Sequence, residues 1–237
     1  LDEFQLASSR PMPERTGPAL RFMTRTARVE TPAIEFDFTR PFTLEAWASA
    51  QSDFTGDDNS RVVARFGDVG LKLHPPLRDW QVIGWDKATS RGVNIVTDEG
   101  FSATLDRRAH LAAQWSGERM QFFVNGRECP NRENPIGAFS SPEEMRRFFR
   151  DRLAAANSKP ITLGGFPVLN PDRPNAGGGV LGGTIDAFRL SRGARYANSF
   201  EPGELKPDDA TVLLYDFHEG AGRSEERRVG KECRSRW

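Results

Sequence analysis

The chain has 237 residues, 37% hydrophobic and 28% charged, with 33 basic residues against 33 acidic ones. This is the composition of a globular protein, and the length allows one large all-β domain or two small ones, with a core that needs neither disulfide nor metal. No apolar run reaches the roughly 20 residues that cross a bilayer, and a neutral charge balance gives no electrostatic basis for gripping nucleic acid, so membrane insertion and nucleic-acid binding are both set aside.

Residues 1–18 mix charge, serine and three prolines, as a linker or the end of a preceding segment does. Leu1 stands first and no signal peptide is visible, so the chain is expected to be a fragment of a longer protein. Ala19 to Met23 and Arg25 to Glu30 read as short strands. In Pro41 to Ala48, Phe42, Leu44, Ala46 and Ala48 share one face, and Thr43, Glu45 and Trp47 share the other. Arg61 to Phe66 and Leu71 to His74 are two further strands, joined through Gly67 to Gly70 and stopped by Pro75-Pro76. Trp80 to Trp85 follows, with its two tryptophans on opposite faces of an unbroken pleat, and Val93 to Val96 pairs nearby.

The clearest pattern lies in Arg108 to Gly126. Ala109, Leu111, Ala113 and Trp115 alternate along one arm and Met120, Phe122 and Val124 along the next, with Ser116-Gly117 between them. Period-two alternation on both sides of such a turn predicts an antiparallel hairpin with one buried face. Asn125-Gly126 is a second turn signal, so another strand should fold back there. The β pattern then breaks. Ser141-Pro142-Glu143-Glu144 carries a capping serine, a proline at the first helical position and a glutamate three residues after the cap. Met145, Phe148, Phe149, Leu153 and Ala156 recur at helical spacing, which predicts one amphipathic helix over about 141–157. Ile161 to Gly165, Thr184 to Leu190 and Thr211 to Phe217 resume as strands, separated by a proline- and glycine-rich loop over Pro167 to Gly183. About a dozen short strands and one helix predict an all-β fold of two packed antiparallel sheets.

Several of these segments, in this order, resemble the laminin-G-like, concanavalin A-like domain of bacterial multidomain proteins. They are Ala19 to Phe22, Phe42 to Trp47, His110 to Trp115 with Phe123 to Gly126, Ile161 to Gly165, Gly183 to Leu190, Arg195-Tyr196 with Phe200 to Pro202, and Leu214 to Phe217. The resemblance covers about 19–217 and implies a jelly-roll sandwich of two antiparallel sheets with one inserted α-helix. It implies a domain over 19–222 that is a non-catalytic recognition or adhesion module, binding carbohydrate or an extracellular protein as part of a larger chain. It also implies a secreted, cell-surface or periplasmic setting. A structural spacer without a ligand and a glycoside hydrolase-like domain are the alternatives. Members of this group sometimes hold calcium at an acidic turn after the opening strand, but Met23 to Arg28 carries no carboxylate there. The last fifteen residues, Arg223 to Trp237, resemble a translated sequencing adapter, with a disordered basic tail as the alternative. They hold six basic and three acidic residues, and without them the net charge is −3 and Cys129 alone remains of the two cysteines. No internal disulfide is then expected.

Candidate chemistry is sparse. Glycosidases place two carboxylates on either side of the scissile bond, and the nearest approach, Glu35-Phe36-Asp37, reads as solvated edge charge. His74, His110 and His218 lack zinc spacing, and His110 falls on the face opposite Leu111 and Trp115, where a hydrogen-bonded structural role is expected. Asp53, Asp57, Asp58, Asn59 and Asp186 carry oxygens of the kind calcium takes, although an acidic loop without metal is the simpler reading. Gly177 to Gly183 lacks the Gly-Lys-Ser/Thr ending of a phosphate loop. Arg146, Arg147, Arg150 and Arg152 are interleaved with Glu143, Glu144 and Asp151, as on a solvated helix face. Tryptophan gives the functional lead, because a flat ring with a few polar neighbours suits a ligand surface. Trp47 shares a face with Glu45 and Trp85 with Gln81, and Arg91 and Asn94 are the polar neighbours expected beside Trp85.

Overall fold

The computed structural model describes residues 19–24, 27–52, 54, 61–74, 79–97, 105–165 and 179–217. They form two antiparallel sheets and a single helix. In chain order the strands are β1 (Leu20–Phe22), β2 (Val29–Glu30), β3 (Phe42–Ala50), β4 (Arg61–Phe66), β5 (Val69–His74), β6 (Asp79–Asp86), β7 (Arg91–Thr97), β8 (Ala109–Trp115), β9 (Met120–Val124), β10 (Arg127–Cys129), β11 (Asn131–Ile136), β12 (Ile161–Leu163), β13 (Gly183–Arg192) and β14 (Thr211–Asp216). The helix, α1, runs Pro142–Ala155.

The first sheet runs β1-β13-β3-β8-β9-β10, and β14 pairs with β13 on the side that β1 also uses. The second runs β11-β7-β6-β5-β4-β12-β2. Register follows the hydrophobic alternation, as it must where one face is buried. Phe42, Leu44 and Ala46 of β3 stand opposite Trp115, Ala113 and Leu111 of β8. Val69, Leu71 and Leu73 of β5 stand beside Gly84, Val82 and Trp80 of β6. The expected hairpin is β8–β9, and Asn125-Gly126, both at positive φ, turn the chain back into β10.

The core fills the space between the sheets. Phe38 stacks on Phe66 with ring centres 4.6 Å apart, and Phe42 meets both edge-on. Ser141 caps α1, its hydroxyl accepting from the backbone N–H of Glu144 at 3.2 Å. The Glu144 carboxylate turns to Ser140 and Arg91, and the hydrogen bonds from Ser140 followed by that from Arg91 hold its pKa down at about 2. Met145, Phe149 and Leu153 face inward. Phe149 meets Trp115 of the first sheet at 5.8 Å and lies over Gly84 of the second, where a Cβ would sit 2.9 Å from its ring. The helix therefore closes one side of the sandwich by touching both sheets.

The arrangement differs from the sequence expectation in two places. β11, Asn-Arg-Glu-Asn-Pro-Ile, is a strand that no alternation announced. The outer face of the first sheet is also covered: residues 193–210 run across it, so Thr43, Glu45 and Trp47 are as buried as the core face of β3.

Candidate functional site

The outer face of the second sheet collects most of the predicted residues. Gln81, Ile83 and Trp85 alternate outward on β6, while Trp80 and Val82 enter the core. On β7, Asn94 lies opposite Ile83 and Gly92 opposite Trp85. Trp85 lies against the bare Cα of Gly92, where an added Cβ would fall 2.6 Å from its six-membered ring. A glycine here lets a large indole lie on the sheet, with part of it exposed. Asn94 donates from Nδ2 to Gln81 Oε1 at 2.9 Å, and Gln81 donates from Nε2 to Asp79 Oδ1 at 2.9 Å. His74 Nδ1 comes within 3.8 Å of the same Asp79 oxygen. Burial, opposed by Asp79, pushes the pKa of His74 down, and the same two influences act on Lys72. Among the described residues the buried Oδ1 of Asn94 has no hydrogen-bond partner, as is also true of His74 Nδ1. A buried acceptor without a donor costs about 1–3 kcal/mol, so this largely buried row of linked polar groups beside the partly exposed Trp85 ring is not fully satisfied by the described residues.

Two predicted partners lie elsewhere. Arg91 is three positions from Asn94 and points to the opposite face of β7. There it pairs with Glu144 at 2.6 Å and lies between Phe139 and Phe148, its guanidinium 4.2 and 5.6 Å from their ring centres. It fastens α1 to the sheet and takes no part in the Trp85 surface. Trp47 is 3% exposed. Its Nε1 donates to Gly203 O at 3.0 Å, and Arg108 covers its ring at 3.8 Å, so it presents no free face.

Around Trp47 lies a buried charged network that the sequence did not announce. Glu45 is fully buried and takes Arg189 Nε at 2.8 Å and Nη2 at 2.6 Å on one oxygen. Tyr196 Oη at 2.5 Å and His110 Nε2 at 3.4 Å meet the other. Burial pushes the Glu45 pKa up, but the contacts with His110, Arg189 and Tyr196 outweigh it and leave the pKa below its ordinary value. Burial and the neighbouring carboxylate push the Tyr196 phenol well up. The covering segment is tied to this network through Arg189 Nη1 to Lys206 O at 2.7 Å, Tyr196 N to Gln114 Oε1 at 3.1 Å, and a bidentate pairing of Arg195 with Asp208. His110 thus has the structural role expected of it.

The remaining candidates are accounted for more briefly. Glu35 and Asp37 are exposed on either side of the buried Phe36, outside any strand, and Asp37 is occupied by Thr39 and Asn157. Asp186 pairs with Arg108 through its Oδ2. Asp53, Asp57, Asp58, Asn59 and His218 lie outside the described residues. Among the described residues no three His, Cys, Asp or Glu side chains converge to hold a metal. Cys129 is buried, and its burial pushes the thiol pKa up to about 11. No described helix is long and apolar enough to cross a membrane.

Two antiparallel sheets packed face to face, with a single helix against one side, define a concanavalin A-like jelly-roll sandwich. Residues 23–198 match the laminin-G-like family model described as the concanavalin A-like lectin/glucanases superfamily, and the chain belongs to that family. Among solved structures, domains LG4-5 of the mouse laminin alpha1 chain are 13% identical over 82% of this chain and 51% of that one, with a TM-score of 0.48. A mutant Trypanosoma rangeli sialidase displaying trans-sialidase activity is 14% identical over 64% of this chain and 20% of its own, with a TM-score of 0.39. The enzymatically active domain of bacteriophage CBA120 tailspike protein 2 is 9% identical over 74% and 25%, with a TM-score of 0.41. The chain thus spans from a fifth to about half the length of these solved chains. A comparison with curated proteins finds no match.

Proposed function

We propose that this domain is a non-catalytic recognition module of a longer exported protein, binding carbohydrate or an extracellular protein through the outer face of its second sheet. The observation that carries the reading is the Trp85 surface. A partly exposed indole lies over Gly92, beside a buried Asn94 carbonyl oxygen that has no donor among the described residues. A ring for the C–H face of a sugar or an apolar side chain, with the partly exposed Asn94 side chain beside it, is the usual composition of a ligand surface. Family membership agrees with such a role. Of the Glu35–Asp37 pair, Asp37 is engaged by Thr39 and Asn157. A glycan array, together with a set of extracellular matrix proteins, tests the proposal. A ligand should be retained that Trp85→Ala loses by tenfold or more, on the scale of about 1.4 kcal/mol per decade. Absence of any ligand, or a ligand indifferent to Trp85→Ala, would favour a spacer or place recognition elsewhere.

A further inference from the structure

β10 ends the first sheet and β11 ends the second, and the chain steps from one to the other at Pro130. The two sheet edges therefore face the same side of the sandwich, and α1 and the β8–β9 turn lie across the gap between them. This leaves a cleft of about 810 Å³, within the range of about 300–1,000 Å³ typical of small-ligand sites. Its two walls differ in charge. The helix and turn contribute Arg119, Arg146 and Arg150, whereas the strands contribute Glu128, Asn131 and Glu133. Met120, Ile95 and Cys129 lie beneath the cleft floor and are almost wholly buried, so the walls it presents are polar. Arg146 and Glu133 approach to 3.7 Å across the cleft, and Gln121 donates to Glu128 at 3.0 Å. Arg150 reaches only the carbonyl of Gly117, at 3.4 Å, and the Arg119 guanidinium has no described partner, with Glu118 beside it at the mouth.

We infer that this cleft binds a carboxylated saccharide. Guanidiniums on one wall suit the carboxylate of a sugar acid, which they can grip bidentately. Carboxylates and amides on the other wall accept from ring hydroxyls. An added peptide strand is disfavoured by Pro135 and by the charges of Arg132 and Glu133 on the β11 edge. The site shares no residue with the Trp85 surface, so either can fail without the other.

Calorimetric titration of the full chain tests it with trigalacturonate and a hyaluronan tetrasaccharide, against cellotriose and a lysyl-glutamate dipeptide. At least one of the acidic saccharides binds, and Arg119→Ala and Arg150→Ala, both at exposed positions, each weaken that binding about tenfold while the melting temperature holds. Trp85→Ala leaves it unchanged, and raising the salt from about 0.05 to about 0.5 M weakens it as screening shortens. Silence from both acidic saccharides overturns the inference. Equal or tighter binding of cellotriose or the dipeptide, or indifference to both arginine substitutions, overturns it as well.

Discussion

Glu45 ties the covering segment to the first sheet, buried among Arg189, Tyr196 and His110. Removing its charge leaves the Arg189 guanidinium buried without a counter-ion. Breaking a buried pair on one side costs about 3–5 kcal/mol, so Glu45→Gln should lower the urea-unfolding free energy by that amount. Adding Arg189→Met should recover part of the loss, because the orphaned cation is then gone. The same carboxylate sets an acid limit. Its folded pKa lies below the ordinary value of 4.5, so its contribution is complete above that value and fades as pH falls through the folded pKa. Asp208, held low chiefly by its hydrogen bonds from Arg195, fades in the same direction. The stability gap between wild type and Glu45→Gln should therefore be constant near neutrality and narrow only well into acid. A gap that narrowed between pH 6 and 8 would point to a different titrating group.

Among the elements, β6 and β7 carry the surface on which the proposed function rests. Gly92 has no positive φ, so alanine there meets no backbone strain; what it meets is the Trp85 ring at 2.6 Å and the Gly84 carbonyl at 3.0 Å. Gly92→Ala should lift the indole off the sheet, lose the ligand that Trp85→Ala loses, and cost about 1–3 kcal/mol as an overpacked site. A red shift in tryptophan emission with binding retained would separate ring position from recognition. The surface was legible in the sequence only where face parity is enough to read it. Gln81 and Trp85 share parity and do share a face. Arg91 and Asn94, three apart, are opposed by the same rule, which was there to be applied and places Arg91 against α1. Parity put Trp47 on the outer face of β3 but said nothing of what covers that face, since the cover is an irregular segment about 150 residues later in the chain. β11 escaped notice for a related reason: an edge strand that faces a polar cleft on one side needs no apolar alternation. The cleft, assembled from five separate elements and a turn, has no signature in any one of them.

At the scale of the whole molecule, what was legible is what two stacked sheets demand of every strand: alternate residues inward, turns where glycine and asparagine stand. That is why the hairpin, the capped helix and the family resemblance all emerged from sequence. It also predicts how the molecule comes apart. Phe42, Ala46, Leu111 and Phe188 of the first sheet and Phe66, Leu71, Val82 and Ile95 of the second belong to one continuous buried cluster, joined by Met145, Phe149 and Leu153 of α1. Neither sheet keeps its buried face dry without the other, so the sandwich should open as a unit. Native-state hydrogen exchange in low urea should give the slowest amides of β3 and β8 the same opening free energy as those of β5 and β6, equal to the global value. The covering segment packs on the outer face through Glu45, hydrogen bonds and the small cluster of Leu205 with Trp47, outside the continuous core, so its amides should exchange through a smaller opening, and Glu45→Gln should lower that free energy further. If β5 and β6 instead exchanged well below the global value, the second sheet would be a separable unit, and ligand-linked loosening of that sheet alone would become the process to measure.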